Sequence, residues 1–155
     1  EAGYPVPRHP LRVVLDSQGR MPLAARMFRE PGKTLIATTV PASKVDRPSV
    51  ESLCLPCDPN GRVDINVLLE KLGERGILSL LVEGGSELFG ALFDQQLIDK
   101  VISYIAPTII GGCKAPSPVG GEGVPILANA LQLENITMEQ IGSDFKIEGY
   151  PLRNP

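Results

Sequence analysis

At 155 residues the chain has room for one domain with a sizeable core, and a hydrophobic share of 43% suits an ordinary globular protein. With 15 Lys plus Arg against 18 Asp plus Glu, the net charge is −3, which argues against a protein that holds nucleic acid by its field and points to small ligands instead. No apolar stretch reaches the roughly 18 residues that span a bilayer, and no basic-then-apolar leader opens the chain, so a cytoplasmic protein without a membrane partner is expected.

Residues 1–10 form a polar, proline-bearing lead-in without an initiator Met, read as a cut from a longer polypeptide, and the domain proper is placed at 11–150. Residues 11–16 (Leu-Arg-Val-Val-Leu-Asp) lie between Pro10 and Ser17-Gln18-Gly19 and predict a strand entering a polar turn. Residues 22–28 read as one short helical turn, 34–39 as a second, buried strand closed by Pro41, and 50–55 as a third strand. Val63, Val67, Leu68 and Leu72 recur near the helical period, with Gly76 where a C-cap belongs, so 63–75 is predicted to be a helix.

A strand at 77–82, a helix at 86–94 and a strand at 100–106 follow. Strands and helices that alternate in this way imply a mixed, mainly parallel sheet with helices on both faces, because parallel strands need crossover connections. Residues 107–125 hold Gly111-Gly112, Gly120-Gly121, Gly123 and four prolines, too much of both for a regular element. Loops of this length in compact domains are usually functional, so a ligand-facing role is expected there. Two alternating runs, 131–141 and 144–150, flank Gly142-Ser143 and predict a C-terminal antiparallel hairpin.

The chemistry concentrates around Leu80-Leu81-Val82-Glu83-Gly84-Gly85-Ser86-Glu87-Leu88-Phe89-Gly90-Ala91. An apolar run that stops at a carboxylate and two glycines, followed by an apolar pattern at helical spacing, reads as strand, tight turn, helix. Such a turn offers backbone N–H groups and the positive end of a helix dipole to an anion such as a dinucleotide pyrophosphate, and a glycine lets backbone approach a phosphate closely. The plain alternative is a corner, since the pattern is not G-x-G-x-x-G. Glu83 sharpens the case, because a carboxylate just after a buried strand is either a neighbour of the helix cap or a ligand-facing group. Cys54-Leu55-Pro56-Cys57 has the spacing of a redox or zinc pair, but only Cys113 and the single His9 remain to complete a metal site, and a Pro59-Asn60-Gly61 turn follows. These cysteines are read as ordinary thiols, with no metal.

Leu11-Arg12-Val13-Val14-Leu15-Asp16-Ser17, Val82-Glu83-Gly84-Gly85, Tyr104-Ile105-Ala106-Pro107, Ile110-Gly111-Gly112 and Gly142-Ser143-Asp144 occur in the order seen in one family. It is the riboflavin-biosynthesis bifunctional deaminase-reductase family, whose C-terminal reductase domain this chain resembles nearly end to end. The resemblance implies a dihydrofolate-reductase-like α/β fold and NADPH-dependent reduction of 5-amino-6-(5-phosphoribosylamino)uracil to the ribitylamino product. Hydride then goes to C1′ of a ring-opened ribosylamine, the cofactor carrying the hard step and the protein positioning it.

Relatives that reduce the diaminopyrimidinone 5′-phosphate analogue share these motifs, and a non-catalytic dinucleotide-binding module is the alternative from another class. By position, the resemblance makes Ser17, Gly85, Ser86, Glu87, Leu88, Phe89, Gly90 and Ala91 cofactor contacts and Glu83 a substrate contact. Thr38 and Thr39 are weighed as 2′-phosphate contacts against plain strand-end roles, and Lys114 as a substrate-phosphate cation against a solvated loop lysine. The resemblance further implies a homodimer. It also implies an additional N-terminal reductase segment that these residues lack, and, in multifunctional members, a deaminase domain ahead of it.

Overall fold

The computed structural model describes residues 9–22, 24–41 and 48–153; the lead-in before His9 and Leu23 of the expected helical turn lie outside them. The chain divides into two compact units, Glu1–Leu80 and Leu81–Pro155.

In the first unit, β1 (Arg12–Leu15), β2 (Thr34–Thr38) and β3 (Val50–Cys54) form a parallel sheet in the order β1-β2-β3. The register runs from Arg12 opposite Thr34 to Leu15 opposite Ala37, and from Thr34 opposite Val50 to Thr38 opposite Cys54. β2 is the middle strand and is buried along its whole length, as expected of a strand with neighbours on both edges. The short turn before it is held by Arg12, whose guanidinium donates to the carbonyls of Glu30, Pro31 and Gly32.

Helix α1 (Ile65–Glu74) starts at Asp64, whose carboxylate accepts from the N–H groups of Asn66 and Val67, the N-cap arrangement that satisfies otherwise orphaned donors. It ends where the Ile77 N–H bonds the Leu72 carbonyl and the Gly76 N–H bonds Gly73. Gly76 sits at φ +75°, the left-handed position this terminator requires and glycine takes at no steric cost. Leu68 and Leu72 on its inner face join Leu35, Ala37, Leu55 and Val63 in the core. At roughly 1.5–3 kcal/mol for each large aliphatic side chain buried, this cluster is the main stabilising feature of the unit. At its surface, a hydrogen bond from Arg75 holds the Glu51 carboxyl below its ordinary value.

The second unit opens with α2 (Ser86–Asp94). β4 (Val101–Ile105), β5 (Leu133–Ile141) and β6 (Asp144–Pro151) then form an antiparallel sheet in the order β4-β6-β5. The β5–β6 hairpin turns on Gly142 at φ +63°, a positive φ at the first of two loop residues, which suits the twist of paired strands. The register of β5 slips between Glu134 and Thr137, with Asn135 at φ +52°, so this edge strand carries a bulge. On one face Glu148 pairs with both Lys100 and Lys146. Those hydrogen bonds hold its carboxyl below, and both lysines above, their ordinary values. The other face exposes Ile105, Ile136, Met138 and Phe145.

Among the described residues the strands form a parallel sheet and an antiparallel sheet, so the α/β character, the parallel pairing and the C-terminal hairpin are as expected. One expectation is corrected. Residues 77–82 form no strand. An apolar run becomes a strand only when neighbours take its N–H and C=O groups. No described strand pairs with this one, Leu78 and Leu81 are 98% and 75% exposed, and the boundary between the units falls inside the run.

Candidate functional site

Helix α2 begins as its sequence suggests. Gly85 is the N-cap, extended at φ −82° and ψ 177°, no side chain caps the helix, and the first ladder bond runs from Phe89 N–H to the Gly85 carbonyl 3.1 Å away. The N–H groups of Ser86, Glu87 and Leu88 are therefore the free donors that every helix start presents, at the positive end of the dipole, where Glu87 adds one negative charge.

The two glycines of the turn differ in what requires them. A Cβ on Gly84 would come within 2.6 Å of the Leu88 side chain, whereas a Cβ on Gly85 would meet nothing within 4 Å. Neither its backbone angles nor its neighbours call for a glycine at position 85. Position 85 is open, and a glycine there leaves the turn's backbone accessible to an anionic group. Glu83 is exposed beside it, and its carboxylate has no hydrogen bond or ion pair among the described residues. It does not brace the turn.

The Gly/Pro loop closes over this helix. Gly120 N–H donates to the Ser86 carbonyl at 2.8 Å, and Glu122 N–H donates to the Asp94 carboxylate at 3.2 Å. Between them backbone lies directly on backbone: a Cβ on Gly90 would be 2.4 Å from Gly120 C and Gly121 N. Gly90 thus has an intramolecular reason to be glycine, and its contact is the loop. Lys114 is exposed elsewhere in that loop. The sequence reading missed the roles of Asp94, Gly120 and Gly121; the one available signal was a pair of glycines in the loop matched by a lone glycine inside a helix.

Ser17, Thr38 and Thr39 come together at the carboxyl ends of β1 and β2 in the first unit. The Ser17 hydroxyl accepts from Val63 N–H at 3.0 Å, and the Ser17 carbonyl accepts from the Thr39 hydroxyl at 2.7 Å. Thr38 is buried and accepts from Val40 N–H. Ser17 therefore ties the end of β1 to the residues ahead of α1. Ser17→Ala leaves the Val63 N–H without its acceptor and is expected to cost about 1–3 kcal/mol of stability, read by denaturant unfolding. Parallel cofactor titration separates this tie from any contact with a ligand.

Cys54, Cys57 and Cys113 are exposed free thiols, and no cluster of metal-ligating side chains occurs among the described residues. No helix there is long and apolar enough to cross a membrane. A cleft of about 470 Å³ beyond the end of α2 is lined by Phe93, Gln96, Leu131 and Arg153, among others. It does not include Glu83 or Gly85, which sit on an open turn.

The model of the RibD C-terminal domain family matches residues 1–147. The riboflavin biosynthesis protein RibD of Actinobacillus pleuropneumoniae is 37% identical over 149 residues, 93% of this chain and 40% of that protein. The 2,5-diamino-6-ribosylamino-4(3H)-pyrimidinone 5′-phosphate reductase of Archaeoglobus fulgidus is 34% identical over 140 residues, 90% of this chain and 62% of that one. Among solved structures, RibD of Acinetobacter baumannii superposes with a TM-score of 0.78 at 25% identity, over 92% of this chain and 37% of that one. The chain thus spans about 40% of the length of the RibD relatives, and the dihydrofolate-reductase-like α/β class read from the sequence is the class of these neighbours.

Proposed function

This chain belongs to the RibD C-terminal domain family, and from that premise we propose that it is the reductase part of a riboflavin-biosynthesis enzyme. It reduces 5-amino-6-(5-phosphoribosylamino)uracil with NADPH. The observation that carries the reading is Gly85: a glycine that the fold does not require, in front of uncapped helix donors and next to a carboxylate with no partner among the described residues. NADPH, when bound, supplies the hydride. The N–H groups of Ser86, Glu87 and Leu88 hold its phosphates, with the helix dipole behind them, and Glu83 accepts hydrogen bonds from the substrate and orients it. Phe89 and Ala91 are further proposed cofactor contacts in the second unit and Ser17 is one in the first, whereas Gly90 packs on the loop.

The protein is cytoplasmic and a homodimer in this reading, with the exposed apolar face of the second sheet (Ile105, Ile136, Met138, Phe145) as a surface suited to pairing. The 34% identity to the archaeal pyrimidinone reductase supports a second reading, in which the diaminopyrimidinone is the substrate. Both are tested by offering the complete polypeptide NADPH or NADH with each phosphorylated pyrimidine and following loss of nicotinamide absorbance. Oxidation of NADPH that depends on the uracil compound is expected. Preference for the diaminopyrimidinone selects the second reading, and NADPH binding without turnover of either selects a non-catalytic module.

A further inference from the structure

We propose that residues 120–122 are a positioning strap for the phosphate-binding turn, so that Gly120, Gly121 and Asp94 help set NADPH affinity without touching the cofactor. This inference rests on the NADPH reading given above. The strap lies along α2 from one end to the other. Gly120 is bonded to the Ser86 carbonyl, Gly121 packs on Gly90, and Glu122 N–H is bonded to Asp94. The packing needs hydrogen in place of Cβ at Gly90, a Cβ on Gly120 would sit tightly at 3.1 Å from Ser86 O, and Gly121 takes φ +82°, which favours glycine.

Its effect on the turn is electrical as well as mechanical. The Ser86 carbonyl and the Glu87 N–H belong to the same peptide unit, so a hydrogen bond given to that oxygen polarises the unit and makes the N–H a better donor. Glu87 N–H is one of the free donors proposed to face phosphate. The strap also fixes the first turn of the helix before any ligand arrives, which lowers the ordering cost of binding.

Asp94 gives the clean test, because it lies eight residues from Ser86, about 12 Å along the helix, and is exposed. In the complete reductase, Asp94→Ala removes the acceptor for Glu122 N–H, whereas Asp94→Asn keeps an oxygen there. Asp94→Ala is expected to raise the Kd and KM for NADPH about fivefold, the equivalent of one hydrogen bond, with kcat at saturating NADPH and the Tm near parental values. Asp94→Asn is expected to restore affinity. Gly90→Ala should weaken NADPH binding at least as much, although alanine is the better helix former.

Coupling between sites is reciprocal, so NADPH must in turn slow amide hydrogen exchange at Gly120 and Glu122 in the parent protein. A folded Asp94→Ala variant with parental NADPH affinity, or exchange at Gly120 that NADPH does not change, overturns the strap while the cofactor reading stands. A parent protein that binds no NADPH overturns both. If Gly90→Ala fails to fold, the Asp94 pair and the exchange measurement decide.

Discussion

Replacing Glu83 by Gln in the complete reductase is expected to lower kcat/KM for the phosphorylated pyrimidine by roughly 10- to 150-fold. That is the equivalent of losing one charge-assisted hydrogen bond worth about 1.5–3 kcal/mol. Gln keeps the size and one acceptor oxygen but not the charge. Since the Glu83 carboxylate has no bond or ion pair among the described residues, neither the Tm nor NADPH affinity is expected to fall. A brace for the turn would behave in the opposite way, with a lower Tm and a parallel loss of cofactor. Steady-state kinetics alongside thermal melts distinguish the two, and a destabilised Glu83→Gln with normal substrate kinetics would remove Glu83 from the substrate site.

Gly85→Val is expected to be the more damaging change. A Cβ at this position meets nothing within 4 Å, and valine as a poorer N-cap than glycine costs up to about 1 kcal/mol, too little to unfold a domain of ordinary stability. In the proposed site the same side chain competes with phosphate for the donors of the first turn. If a phosphate loses two charge-assisted bonds there, NADPH affinity falls by about 100-fold or more. Fluorescence titration with circular dichroism as the folding control provides the measurement. Parental affinity in a folded variant would show that the phosphates are held elsewhere.

The helices and most of the strands were legible because each carries its own punctuation. α2 occupies residues 86–94 as read, since Gly84-Gly85 opens it and its apolar spacing runs out at Asp94. Its end, however, is a left-handed Gln96 at φ +56° rather than a glycine, a choice no local rule announces. α1 shows a cap at Asp64 and a stop at Gly76. Residues 77–82 misled because their apolar character reports a capacity for pairing, while pairing itself depends on partners distant in sequence.

The candidate site divides along the same line. Glu83 and Gly85 stand out in the sequence because their character is local, a carboxylate and a small residue at a turn. The hydroxyl of Ser17 bonded to Val63, 46 positions away, and the loop glycines lying on Gly90 are relations between segments. Composition marked the loop as unusual without showing what it lay against.

The bulge in β5 has a consequence for how the protein behaves when concentrated. β5 is the nine-residue outer strand of its sheet, and a straight outer strand of that length is a template onto which another molecule can add its own, the first step towards fibrils. With the register broken between Glu134 and Thr137, its outward N–H and C=O groups do not form one continuous row. Glu134 and Glu139 put negative charge along the same strand. This rim of the molecule is thereby built to resist stacking, and the kink at Asn135 protects solubility.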